Sequence, residues 1–157
     1  MPGDAPYRLP RSVEPLHYEL TLAPDLDTAR FTGEERVQLQ VHESVDEIVL
    51  NALDLEILSA EISSADGVIQ QGTVTYRPDD QQAVIAFPDR IQPGAATFTA
   101  SFAGPLNDLL VGFYRSTFID DDGDERVIAT TQFEATDARR AFPCWDEHEL
   151  KAVFAVT

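Results

Sequence analysis

Gln132 and Glu134 stand two residues apart in the stretch Thr130-Thr-Gln-Phe-Glu-Ala-Thr-Asp-Ala-Arg-Arg-Ala-Phe-Pro-Cys-Trp-Asp-Glu147. In a strand, side chains two apart share a face. An amide oxygen and a carboxylate would then project together, about 6.5–7 Å apart, with Phe133 facing the other way. Two acceptors so placed can grip an ammonium group, and the free amino terminus of a peptide is such a group. The spacing admits a second arrangement, in which Glu134 pairs with Arg139 or Arg140 inside a buried network. Spacing alone leaves both open.

Other chemistries find less support. His17, His42 and His148 lie far apart, and none has a second His or Cys at ligand spacing, so each reads as a surface or satisfied polar residue and no metal site is expected in this chain. The run Asp120-Asp-Asp-Gly-Asp-Glu125 is acidic enough for calcium, but an EF-hand loop places its glycine sixth and a glutamate twelfth, whereas here the glycine is fourth. With Phe118 and Ile119 before it and Val127 and Ile128 after it, the run reads as a hairpin turn. No G-x-S-x-G elbow, phosphate-binding glycine loop or Cys-His signature is present, so no catalytic nucleophile is expected in this chain. Cys144, between Pro143 and Trp145, is expected to be a protonated, unreactive thiol.

Composition narrows the partners. The chain has 157 residues, 28 acidic against 11 basic, and a formal net charge of −17. Charge of that sign repels phosphate, which argues against nucleic acid and anionic membranes as partners. With 43% hydrophobic residues the chain is too apolar for a disordered acidic tail, and its length suits one domain with a proper core. A single cysteine allows no internal disulfide and fits a reducing, cytoplasmic compartment. The Met1–Pro6 start has neither a basic n-region nor an apolar h-region, and no stretch approaches 18 apolar residues, so neither secretion nor membrane spanning is expected.

The elements that must carry these residues are strands. Tyr18, Leu20 and Leu22 alternate with polar neighbours, as do Val37, Leu39 and Val41, and the two runs read as an antiparallel pair joined by a loop or irregular hairpin. Further strands are expected over 47–50, 55–62, 73–77, 83–87 and 97–102, with turn signals at 65–67, 78–80 and 92–94. Strands recurring every eight to twelve residues or so indicate an all-β sandwich or barrel. Residues 105–110 could make one helical turn, and Thr136 could cap a short turn that Pro143 ends. Residues 150–157 read as a strand with no turn or polar tail after it, so the chain is expected to be truncated near its carboxyl end.

Five segments carry a more specific resemblance: Arg8-Leu-Pro-Arg-Ser-Val-Glu-Pro-Leu-His-Tyr-Glu-Leu20, Phe31-Thr-Gly33, Gly112-Phe-Tyr-Arg-Ser116, the stretch 131–147, and Lys151-Ala-Val-Phe154. Together and in this order they resemble the amino-terminal domain of the zinc aminopeptidase N family, the gluzincin metallo-aminopeptidases. One departure is His148, where family members usually carry proline. The resemblance implies a saddle-like β-sandwich of mostly antiparallel strands over 1–157, packed against a catalytic zinc domain that this chain does not include. It implies that Gln132 and Glu134 bind the amino terminus of a peptide substrate, that zinc belongs to the full-length enzyme, and that this chain alone is inactive. Asp137, Arg139 and Arg140 are expected to form ion pairs that fix the segment carrying Glu134, with Phe142 and Trp145 in the core. Tyr114 and Arg115 fit either a domain interface or ordinary packing. A free-standing β-sandwich that binds a protein partner is the competing expectation, and a reading frame that stops after Thr157 would favour it.

Overall fold

The computed structural model describes residues 8–157, and the Met1–Pro6 start lies outside them. The chain folds as a sandwich of mostly antiparallel strands. β1 (Val13–Asp25) pairs antiparallel with β2 (Arg30–Val41), placing Tyr18 opposite Val37 and Leu20 opposite Glu35. The alternation of apolar and polar residues produces this pairing, since it gives each strand one face to bury. A bulge between Pro15 and His17 resets the alternation and leaves Leu16 outside. The connection is tighter than the expected loop. Pro24 and Asp25 stay in the strand because the Asp25 carboxylate accepts the amides of Asp27 and Thr28, at 3.0 and 3.1 Å, and closes the turn.

β3 (Val45–Asn51), β4 (Glu56–Ser64), β6 (Thr73–Arg77), β7 (Gln82–Ile91) and β8 (Gly94–Pro105) cover the other expected strands. β5 (Ile69–Gln71) is an addition that the alternation did not announce. β11 (Val153–Val156) is shorter than residues 150–157 and lies parallel to β1. A six-stranded sheet runs β11-β1-β2-β8-β4-β5 and a three-stranded sheet runs β3-β7-β6. One buried cluster unites the two sheets, with Tyr18, Phe31, Val37, Leu39, Phe98 and Phe102 from the larger and Ile48, Leu50 and Ile85 from the smaller. Phe142 and Trp145 join this core as expected.

β9 (Gly112–Ile119) and β10 (Glu125–Gln132) form the remaining hairpin, and the acidic run is its turn. The Asp120 carboxylate accepts the amides of Asp122 and Asp124 and pairs with Arg126 at 2.7 Å. Its oxygens are spent on the turn, and Arg126 foremost holds its pKa below the ordinary value. No helical turn forms over 105–110. The Asn107 side chain takes the Leu109 amide at 2.8 Å and donates to the Val111 carbonyl at 2.9 Å, so the backbone turns without one. The short turn near 136 is a 3-10 turn over Ala138–Arg140, and its capping position, Asp137, makes no side-chain capping bond, so Thr136 does not cap it.

Candidate functional site

β10 ends at Gln132, and Glu134 lies beyond it in a turn. The two do not project from one strand face, which corrects the expected geometry. The reason is local: the Asp137 amide donates to the Phe133 carbonyl at 2.9 Å, curling the chain away from the ladder directly after Gln132. Gln132 and Glu134 still stand together, because the Glu134 amide donates to Gln132 Oε1 at 3.0 Å. The peptide bond from Glu134 to Ala135 is cis. Phe133, half-buried against the core, meets Phe142 edge to face, 6.0 Å between centroids.

Both residues of the pair are exposed. Among the described residues the Glu134 carboxylate has no ion-pair partner, because each nearby arginine is taken by an aspartate. Arg139 donates from Nε to Asp146 at 2.9 Å and from Nη1 to Gln81 at 3.1 Å. Arg140 donates from Nε to Asp137 at 3.0 Å and reaches Asp54 with Nη1. The buried Glu134–arginine network is therefore not formed, whereas the expected ion pairs at Asp137, Arg139 and Arg140 are. What the loop offers chemically is a free carboxylate beside an amide side chain, an acceptor-rich edge suited to a cation with several N–H donors.

The segment after the loop is stitched to β3. Asn51 and Cys144 exchange backbone hydrogen bonds at 2.8 and 3.0 Å, the Asp146 amide donates to Asn51 Oδ1, and the Trp145 amide donates to the Tyr18 hydroxyl. Asn51, Asp54 and Gln81 all serve this stitching, and sequence reasoning missed them. Only Asn51 carried a signal, as a polar residue ending the apolar run 48–50. Cys144 is 4% exposed, and burial, followed by the charge of Asp146, pushes its thiol well above the ordinary value.

The histidines do not converge. His42 pairs with Glu14 at 3.0 Å on the surface, His17 sits on β1, and His148 is exposed. Among the described residues no group of three or more His, Cys, Asp or Glu could hold a metal ion, so these residues do not fit a zinc site. Arg115 spends Nη1 on the Leu26 carbonyl at 3.3 Å, which ties the hairpin to the β1–β2 turn. Glu35 is the other residue missed. It is 1% exposed, and neither carboxylate oxygen has a partner among the described residues. Phe31, Gly33, Glu35 and Val37 share one strand face by alternation, so the inward position was available to sequence reasoning.

Fold and site together define an all-β domain with an exposed polar loop held by aspartate–arginine pairs. Residues 14–157 match the Peptidase M1 N-terminal domain, and the chain belongs to that family. It is 41% identical over 154 residues to Aminopeptidase 2, mitochondrial, of Saccharomyces cerevisiae, covering 95% of this chain and 16% of that protein. Against Aminopeptidase M1-A of Oryza sativa the identity is 40% over 154 residues, covering 96% and 17%, and against the Alanine/arginine aminopeptidase of S. cerevisiae it is 40% over 155 residues, covering 95% and 18%. The chain thus spans less than a fifth of the length of these relatives.

Proposed function

We propose that this chain is the amino-terminal domain of a zinc metallo-aminopeptidase and contributes the anchor for the substrate's α-amine, through Glu134 with Gln132 beside it. The observation that supports this reading is the exposed Glu134 carboxylate, left without an ion-pair partner while Arg139 and Arg140 are both engaged elsewhere. An ammonium group entering there would pair with Glu134 and hydrogen-bond to its neighbours. That contact would set exopeptidase register, since an internal peptide segment has no ammonium to offer. The described residues supply no zinc ligands, so metal-assisted hydrolysis belongs to other parts of the polypeptide and this chain alone is inactive. The partners in this reading are the amino terminus of a peptide and the polypeptide's own catalytic domain. A cytoplasmic location fits the lone buried cysteine, although the name of one relative places that protein in the mitochondrion.

The test is Glu134→Ala in the aminopeptidase polypeptide that carries this domain. With the loop covered by bound substrate and the catalytic domain, removing one partner of the then desolvated charge pair costs about 2–5 kcal/mol, so kcat/KM should fall by roughly 30-fold to several thousand-fold. Glu134→Gln keeps an acceptor and should lose less. Near wild-type kcat/KM in a well-folded Glu134→Ala enzyme would overturn the assignment.

A further inference from the structure

We infer that Arg140, braced by Asp54, is the positioning residue that holds Gln132 and Glu134 in place; this deepens the amine-anchor reading and rests on it. The inference comes from three contacts of one side chain. First, its stem lies over Gly112, where a Cβ would sit 2.5 Å from the Arg140 Cβ. Gly112 has φ +70°, and it is the residue paired with Gln132 across the β9–β10 hairpin. Second, Arg140 Nε binds Asp137, whose amide closes the loop onto the Phe133 carbonyl. Arg140 therefore touches the strand that sets Gln132 and the far end of the loop that carries Glu134.

The third contact fixes that assembly to the sandwich. Nη1 reaches Asp54, which lies just beyond β3 at φ +59°, and the adjacent Leu53 amide donates to the Arg139 carbonyl at 2.9 Å. Arg139 turns to Asp146 and Gln81 instead, so among the described residues Arg140 is the side chain that joins all three parts. Asp54 is 57% exposed, and an ion pair that open to solvent adds little to global stability. Its effect falls on local geometry, which decides how closely the Gln132 and Glu134 side chains meet an ammonium group.

Two measurements test this. In the present chain, hydrogen exchange at the Glu134 and Asp137 amides should quicken in Asp54→Asn and more in Arg140→Ala, while amides of β2 and β8 keep wild-type rates. Wild-type exchange at both loop amides in a folded variant would overturn the proposal. Should Arg140→Ala not fold, Asp54→Asn decides, since its side chain is largely in solvent. In the aminopeptidase polypeptide carrying this domain, Asp54→Asn and Arg140→Lys should raise KM for an aminoacyl anilide several-fold with kcat little changed. A purely structural role would instead lower the active fraction at constant KM. An unchanged KM in both variants, with kcat/KM lowered in Glu134→Ala, would remove the positioning role and leave the anchor standing. Near wild-type kcat/KM in Glu134→Ala as well would remove both.

Discussion

Phe31 and Phe113 meet edge to face, with ring centroids 5.1 Å apart and planes inclined at 67°. Through this contact the root of the β9–β10 hairpin is seated on β2, one of the two central strands of the larger sheet, although the distal half of the hairpin leaves Phe118, Ile119, Val127 and Ile128 exposed. Phe31 is 1% and Phe113 7% exposed, so the pair is a core contact at the base of an otherwise wet hairpin. Phe113→Ala should lower the free energy of unfolding by about 3–5 kcal/mol, a large part of what a domain this size possesses. Urea unfolding checks it, with Phe113→Leu as the milder control.

Glu35 makes stability depend on pH in a direction opposite to that of ordinary surface carboxylates. Burial raises its pKa well above the ordinary 4.5. Below that value the carboxyl is protonated in the folded and the unfolded chain alike. Above it the unfolded chain gives up the proton while the folded one keeps it, so rising pH favours unfolding by about 1.4 kcal/mol per unit until the folded carboxyl ionises as well. Glu35→Gln removes this term. The difference in unfolding free energy between Glu35→Gln and wild type should therefore grow from pH 5 towards neutrality, read by urea titration at each pH, and a difference that stays flat would count against the buried proton.

Cys144 should resist thiol reagents in the folded chain. Its burial and raised pKa leave almost no thiolate, and no reagent reaches it without local opening. Labelling with a disulfide reagent at pH 8 should be negligible in buffer and complete in denaturant. Fast labelling of the native chain would mean that the segment stitched to Asn51 opens readily.

The chain incubated with zinc and then dialysed should retain only sub-stoichiometric metal by elemental analysis, because the described histidines, cysteine and carboxylates do not converge. It should also leave an aminoacyl anilide intact after repurification.

The pairing of β1 with β2 was legible because each strand buries one face only, so alternation survives in the sequence. β3 and β7 bury consecutive residues, Ile48, Val49 and Leu50 in one and Ala83, Val84 and Ile85 in the other. There the alternation is lost, and only their apolar character marked them. β5 is three residues long with a glutamine as its buried member and Ile69 facing out, which leaves no inward apolar signal. At the site, Gln132 and Glu134 were identified, yet a two-residue spacing does not say where a strand stops. That is decided by the contact from Asp137 back to Phe133. Asp137 was named with the two arginines and does hold Arg140, but their other partners were hidden. Glu134, Asp137 and Asp146 were all near in sequence, whereas Asp54 and Gln81, which also hold the arginines, come from distant parts of the chain.

The parallel seating of β11 on β1 has a consequence for how the molecule is made. The Leu9 amide and the Glu147 carboxylate that meet beside this seam are 138 residues apart in sequence. Closing so long a loop carries a large entropic cost and slows folding. During synthesis β1 can pair with β2 almost at once, yet its other edge stays open until β11 has emerged. Over that interval Tyr18, whose ring stacks on Phe154 at 4.6 Å in the finished fold, lacks its cover. Among the described strands the first to be made is the last to be completed, and the nascent chain is most exposed to wrong pairing along that edge.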